Sequence, residues 1–171
     1  MRATLVRQTL NASGPLSANT LRKLRQFLLA IILLGLLGTG AELLLLDHYQ
    51  TALQYTPLLL IAFAILVVAW LALNQQAAPV RVWRGLMILF LISGVAGFYL
   101  HMQAKIAFTS EVNPSLSGAR LFWEAMQTQS PPALASGIML QLGLLGLAYT
   151  YRHPALAPES DRDSEHKGEN P

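Results

Sequence analysis

One carboxylate and two imidazoles are the side chains of this sequence best suited to chemistry. Glu42 stands inside an apolar stretch, FLLAIILLGLLGTGAELLLL, at 27–46. His48 follows six residues later, and His101 ends another apolar stretch, GLMILFLISGVAGFYLH. A carboxyl in hydrocarbon is costly, so it marks either a site for a proton, cation or ligand or a polar lock between helices. Burial favours its neutral form, and an adjacent imidazolium favours its charged form. Imidazole with carboxylate also suits zinc, copper, nickel or manganese. The candidate ligands for such an ion are His48, His101, Asp47 and Glu111. Bis-histidine haem ligation is the other option that two histidines at one depth leave open. On one continuous helix Glu42 and His48 point about 120° apart, so the first span alone builds no metal site.

Other chemistries are missing from the sequence. There is no nucleophile–base motif, no HExxH, no EF-hand loop and no dinucleotide fingerprint. The glycine steps in LLGLLGTG and QLGLLGLA lack a P-loop lysine and read as helix-packing signals. The chain has no cysteine, which excludes disulfides, thiolate metal sites and iron–sulfur clusters. A non-enzymatic role is therefore expected, and no cofactor is implied.

The elements that must position these residues are membrane helices. The 171 residues are 53% hydrophobic and only 12% charged, about half the charge of a soluble domain. Runs long enough to cross a bilayer predict an all-α polytopic membrane protein. Four transmembrane helices, at about 27–46, 57–73, 85–101 and 133–151, would form one bundle. Pro57 suits the first turn of the second span. Flexible cytoplasmic tails are expected at 1–20 and 154–171, with Asn19 or Thr20 capping the first helix. Thr39-Gly40-Ala41 resembles a signal-peptide cleavage site, but four leucines follow it, so an uncleaved span is the better reading.

Basic residues set the orientation. Of the twelve Lys and Arg, all but Lys105 and Arg120 fall on segments that four spans would leave on one side. That side is cytoplasmic, and both termini lie there. Charge so distributed reads as a topology signal, not as a nucleic-acid surface. Tyr49, Tyr55, Trp83, Tyr99, Tyr149 and Tyr151 fall at span ends, where amphipathic rings settle. The long outer connection, 102–132, contains GARLFWEAMQ at 118–127, a short helix expected to lie flat on the bilayer or to cap the bundle, with Leu121, Phe122 and Met126 on its apolar side.

Helical spacing then assigns faces. Glu42 shares its side with Thr39, Gly38 and Gly35; His101 with Phe98, Gly97 and Gly94; Gln141 with Gly137 and Ala148. Small residues mark close helix approach, so all three polar groups are expected to face one interior pocket that opens outward. Glu42, His101, Gln141 and Tyr99 form the expected ligand or proton site. In size and charge pattern the chain is similar to small inner-membrane proteins of bacteria. The role expected is an accessory, sensor or small-ligand-binding subunit, embedded in the lipid bilayer as a homo-oligomer or within a larger membrane complex. The alternatives are a proton- or metal-cation transporter subunit and a membrane redox, metal or haem protein.

Overall fold

A computed structural model of the chain describes residues 2–47, 49–74, 76–127 and 134–157, with residues 2–18 and 134 as backbone alone. Five α-helices dominate: α1 Arg2–Leu45, α2 Ala52–Leu73, α3 Ala77–Val112, α4 Gly118–Gln127 and α5 Leu134–Thr150. A 3-10 turn, Pro154–Leu156, follows α5. The described residues are thus all-helical. Three helical segments are long and apolar enough to cross a membrane: Asn19–Leu45 within α1, α2 and α3. The apolar helix α5 is shorter, at 17 residues, or about 26 Å.

The helices start earlier and run further than the apolar runs that announce them. α1 is helical from Arg2, through the stretch expected as a tail. A helix already nucleated by the apolar segment adds each ordinary residue at little cost, and Gly14-Pro15 is the unfavourable step within it. Asn19 and Thr20 therefore lie inside the helix and do not cap it; Asn19 Oδ1 accepts a hydrogen bond from Arg22 Nη2 at 3.2 Å. α2 begins at Ala52 because Gln54 reaches back over its first turn. Gln54 Oε1 accepts from the backbone N–H of Gln50 at 2.8 Å and of Thr51 at 3.0 Å, satisfying donors that a helix start leaves orphaned. Pro57 consequently sits past the first turn. It supplies no N–H to the Leu53 carbonyl one turn behind.

The largest departure is α3. It spans 36 residues, about 54 Å, where the sequence suggests a span of 85–101 between two loops. The loop before it shrinks to 74–76, with Gln76 as N-cap and Pro79 in the first turn, where its missing N–H costs nothing. Beyond His101 the helix continues for eleven residues. Met102 and Thr109, seven apart on one face, are buried, and α4 packs on α3. The helix stops at Asn113, whose N–H bonds the Thr109 carbonyl at 2.9 Å, because Pro114 disfavours helical backbone at the residue before it. The expected short helix is present as α4, over the same ten residues. Gly118 starts it with φ +58°, a left-handed conformation that glycine adopts freely. Ala125 is buried, while Phe122 is turned outward with Trp123.

α1 packs on α2 and α5, and α3 packs on α2 and α5; among the described residues the backbones of α1 and α3, and of α2 and α5, do not approach closely. The four helices therefore close a ring. Its middle is filled by Leu36 of α1, Ala64 of α2, Met87 and Phe90 of α3 and Leu142 of α5. The tightest seam joins α3 to α5. Gly143 and Gly146 of α5 admit Leu91 and Met87, and Gly94 of α3 admits Leu140. Trp83 Nε1 donates to the Gly146 carbonyl at 3.2 Å. Trp83 and Tyr149 are thus buried within the bundle. The outer surface of the ring is apolar instead: Leu45 and Leu73 are 85% and 88% exposed, among many other exposed leucines. Lipid suits such a surface, whereas water does not.

Past α5 the chain does not leave the fold at Pro154. Ala155 and Leu156 pack against the core and His153 is buried, so the expected tail loses its first four residues to the packed structure. The remainder of that tail, 158–171, lies outside the described residues.

Candidate functional site

The ring is not filled evenly. At the end of the helices that carries the α1–α2 turn, a cavity of about 640 Å³ opens between α1, α2, α3 and α5. Because the backbones of α1 and α3 stay apart across the ring, all four helices contribute to its wall. α1 supplies Thr39, α2 Gln54 and Thr56, α3 Ser93 and His101, and α5 Ser136. The rest of the lining is aliphatic, including Leu43, Leu60, Ile92 and Met139. Size and make-up match a small-molecule site, a mostly apolar concavity with a few convergent polar groups.

Thr39, Gln54, Thr56, Ser93 and Ser136 carry neutral hydrogen-bonding groups. Thr39 and Ser136 are buried. Ser136 Oγ lies against α3, where it would be 3.0 Å from a Cβ placed on Gly97. Absence of a side chain at Gly97 is therefore what admits the hydroxyl to the cavity wall. Gln54 spends its carbonyl oxygen on the start of α2 and lines the cavity from there. Leu53 and Pro57 belong to the same wall, and Pro57 leaves the Leu53 carbonyl without its intrahelical donor. His101 closes the mouth, exposed on one side. No Asp, Glu, Lys or Arg lines this cavity.

Of the four residues expected to build the site, only His101 lines the cavity. Gln141 faces out of the ring, in line with Gly137, Leu144 and Ala148, all exposed. α5 presents two small-residue faces, and the one that packs is the other: Ser136, Gly143 and Gly146, matched to Trp83 and Met87. Tyr99 is 61% exposed, and its hydroxyl accepts from Gln103 Nε2 at 3.0 Å. Glu42 is half-buried. At 100° per residue it lies roughly 80° around α1 from the mean direction of Thr39 and Leu43, which do line the cavity.

Asp47 has left-handed backbone, φ 50°, which aspartate tolerates better than most residues. Its Oδ1 accepts from the Tyr49 hydroxyl at 2.6 Å. That bond and the carboxylate charge push the Tyr49 phenol above its usual pKa. Glu111 is exposed near the end of α3, and His48 lies outside the described residues. Among the described residues no three His, Asp or Glu side chains gather as a metal site.

At the opposite end, by the α2–α3 turn, polar contacts fasten the helices together. Arg25 Nη2 donates to the Arg152 carbonyl at 2.9 Å and to the Tyr151 carbonyl at 3.4 Å. A cation is thereby set on the negative end of α5. His153 Nδ1 accepts from the Ala155 N–H at 3.2 Å, and its ring lies 5.5 Å from that of Tyr149. Burial, with the Arg25 charge in support, holds the His153 imidazole below its usual pKa. The unfolded chain therefore takes up this proton first as pH falls through the ordinary value of about 6.5, and the fold loses stability from there down to the folded pKa. We expect acidification to lower the unfolding temperature over that window. His153→Asn, whose Oδ1 can accept from the same N–H, should remove this part of the pH dependence in thermal melts of the detergent-solubilised protein.

The sequence signal for the hydroxyl-lined wall was available in Thr39, Ser93 and Ser136, each set among small residues, but a lone hydroxyl in an apolar run attracts less notice than a charge. A scan of protein-family models and searches of curated proteins and solved structures give no match to this chain.

Proposed function

We propose that the chain is a small-ligand-binding subunit, non-enzymatic, of a bacterial inner membrane, and that its site is the hydroxyl-lined cavity at the α1–α2 end. α1, α2, α3 and α5 cross the bilayer as a four-helix bundle with both termini cytoplasmic, and the cavity opens outward beneath the interfacial helix α4. The observation that carries this reading is the cavity wall itself. Uncharged donors and acceptors from four helices converge on an aliphatic concavity. The ligand that such a wall suits is an uncharged amphiphile, with an apolar body and a hydroxyl or carbonyl head. An apolar layer of Leu36, Ala64, Met87 and Leu142 lies between this cavity and the other end, which favours binding over passage through the protein. A sensor or accessory role within an oligomer or a larger membrane complex accords with so small a chain.

Binding is tested with probes of one tail length and different heads. In thermal melts of the purified protein, a long-chain alcohol should raise the midpoint, while the matching carboxylate and quaternary ammonium should do so much less. Stabilisation by the charged probes alone would refute the reading.

Orientation has its own test, helped by the lack of native cysteine. Ser117→Cys, before α4, should react with an impermeant maleimide in right-side-out spheroplasts. Gln76→Cys, before α3, should react only after lysis. The reverse pattern would invert the topology.

A further inference from the structure

A second cavity, about 630 Å³, lies at the α2–α3 end between α1, α2 and the turn that follows α5. Its character is opposite to that of the first. The deep wall is aliphatic, with Leu29 and Leu33 from α1 and Val68 and Leu71 from α2. Two guanidinium groups, Arg22 and Arg25, stand at its mouth, and no Asp or Glu lines it. From Arg22 down to Leu33 is eleven residues of helix, about 16 Å, the depth of a headgroup and the upper part of an acyl chain.

Both guanidiniums are held in place without being used up. Arg25 is fixed by Nη2 to two carbonyls past α5, and Arg22 by Nη2 to Asn19. In each, no bond engages Nη1 or Nε among the described residues, and this planar fork suits phosphate oxygens. Basic side chains at a membrane edge keep their heads in the polar layer while their stems cover apolar surface. A cytoplasmic leaflet is rich in anionic lipid.

We infer that this cavity binds an anionic phospholipid, its phosphate on Arg22 and Arg25 and one acyl chain along Leu29, Leu33, Val68 and Leu71. The inference rests on the chain lying in a membrane and is independent of what fills the other cavity. A neutral ligand there and an anionic one here can each fail alone.

The test is native mass spectrometry of the full chain in detergent, titrated with palmitoyl-oleoyl phosphatidylglycerol, the matching phosphatidylcholine, or inorganic phosphate. Phosphatidylglycerol should bind at least about fivefold more tightly than phosphatidylcholine, the advantage of roughly one cationic side chain at a membrane surface. Arg22→Gln should remove most of that preference; Arg22 bonds to Asn19 within α1, so the variant keeps the Arg25 fastening. Ala72→Phe, which fills the slot from α2, should weaken phosphatidylglycerol while leaving Arg22 in place. Equal binding of the two lipids, an unchanged preference in Arg22→Gln, or phosphate competing as well as the lipid would each overturn the inference.

Discussion

Gly146→Leu is expected to destabilise the protein by about 3 kcal/mol, combining overpacking with a lost buried hydrogen bond. A Cβ at Gly146 overlaps Met87 Sδ and Cγ and comes within 3.3 Å of Trp83 Cζ2. Both neighbours are fully buried and have no free space to retreat into. Pushing α5 away from α3 also parts the Trp83 indole from the Gly146 carbonyl, and a buried donor left without a partner costs more than its bond contributed. The counterpart is Gly137→Leu. A Cβ there meets nothing within 4 Å, and leucine is a better helix former than glycine, so its thermal midpoint should match or exceed that of the parent. A smaller clash, Gly146→Ala, should be relieved in part by Met87→Ala, giving a coupling energy of roughly 0.5–3 kcal/mol in a double-mutant cycle. Equal damage from Gly137→Leu and Gly146→Leu would mean that α5 packs through its other face.

The second large effect concerns the cavity at the α1–α2 end. At a hundredfold excess over its dissociation constant, a ligand stabilises the folded state by about 2.7 kcal/mol. Ser136→Leu should abolish that stabilisation by a long-chain alcohol, since the new side chain occupies the space beside Gly97 that the cavity uses. Thr39→Val keeps the volume and deletes the hydroxyl. It should weaken binding about fivefold, the worth of one neutral hydrogen bond, while leaving the unliganded melting temperature nearly unchanged. Filling and deleting are distinct losses, and a binding site requires both. If neither substitution altered the response to the alcohol, the probe would be binding elsewhere on the apolar surface.

Much of the fold is legible in the residues. The apolar runs mark α1, α2, α3 and α5, and GARLFWEAMQ marks α4 to the residue. Helix ends are less legible, because they are decided by groups outside the apolar run. Gln54 draws the start of α2 back to Ala52. Nothing between His101 and Asn113-Pro114 breaks α3, so it continues into an expected loop. Met102 and Thr109, seven apart, are the signal that would have extended it.

Faces are the weaker part of the reading. Small residues do mark close approach, and at Gly94 and Gly97 they mark it correctly. α5 carries small residues on two sides, and only the bulk of Trp83 and Met87 on α3 selects between them. That choice turns Gln141 outward and Ser136 inward, so the site is built from hydroxyls and His101. Glu42 draws attention through its charge, yet Thr39, three residues before it, is the α1 residue that reaches the cavity with a polar group.

The most direct test sets those two readings of α1 against each other in one experiment, the alcohol-induced shift of the thermal midpoint in the parent, Glu42→Gln and Ser136→Leu. Parent and Glu42→Gln should show the same shift, and Ser136→Leu should show none. A shift that disappears in Glu42→Gln and persists in Ser136→Leu would contradict the account and return the site to the carboxylate.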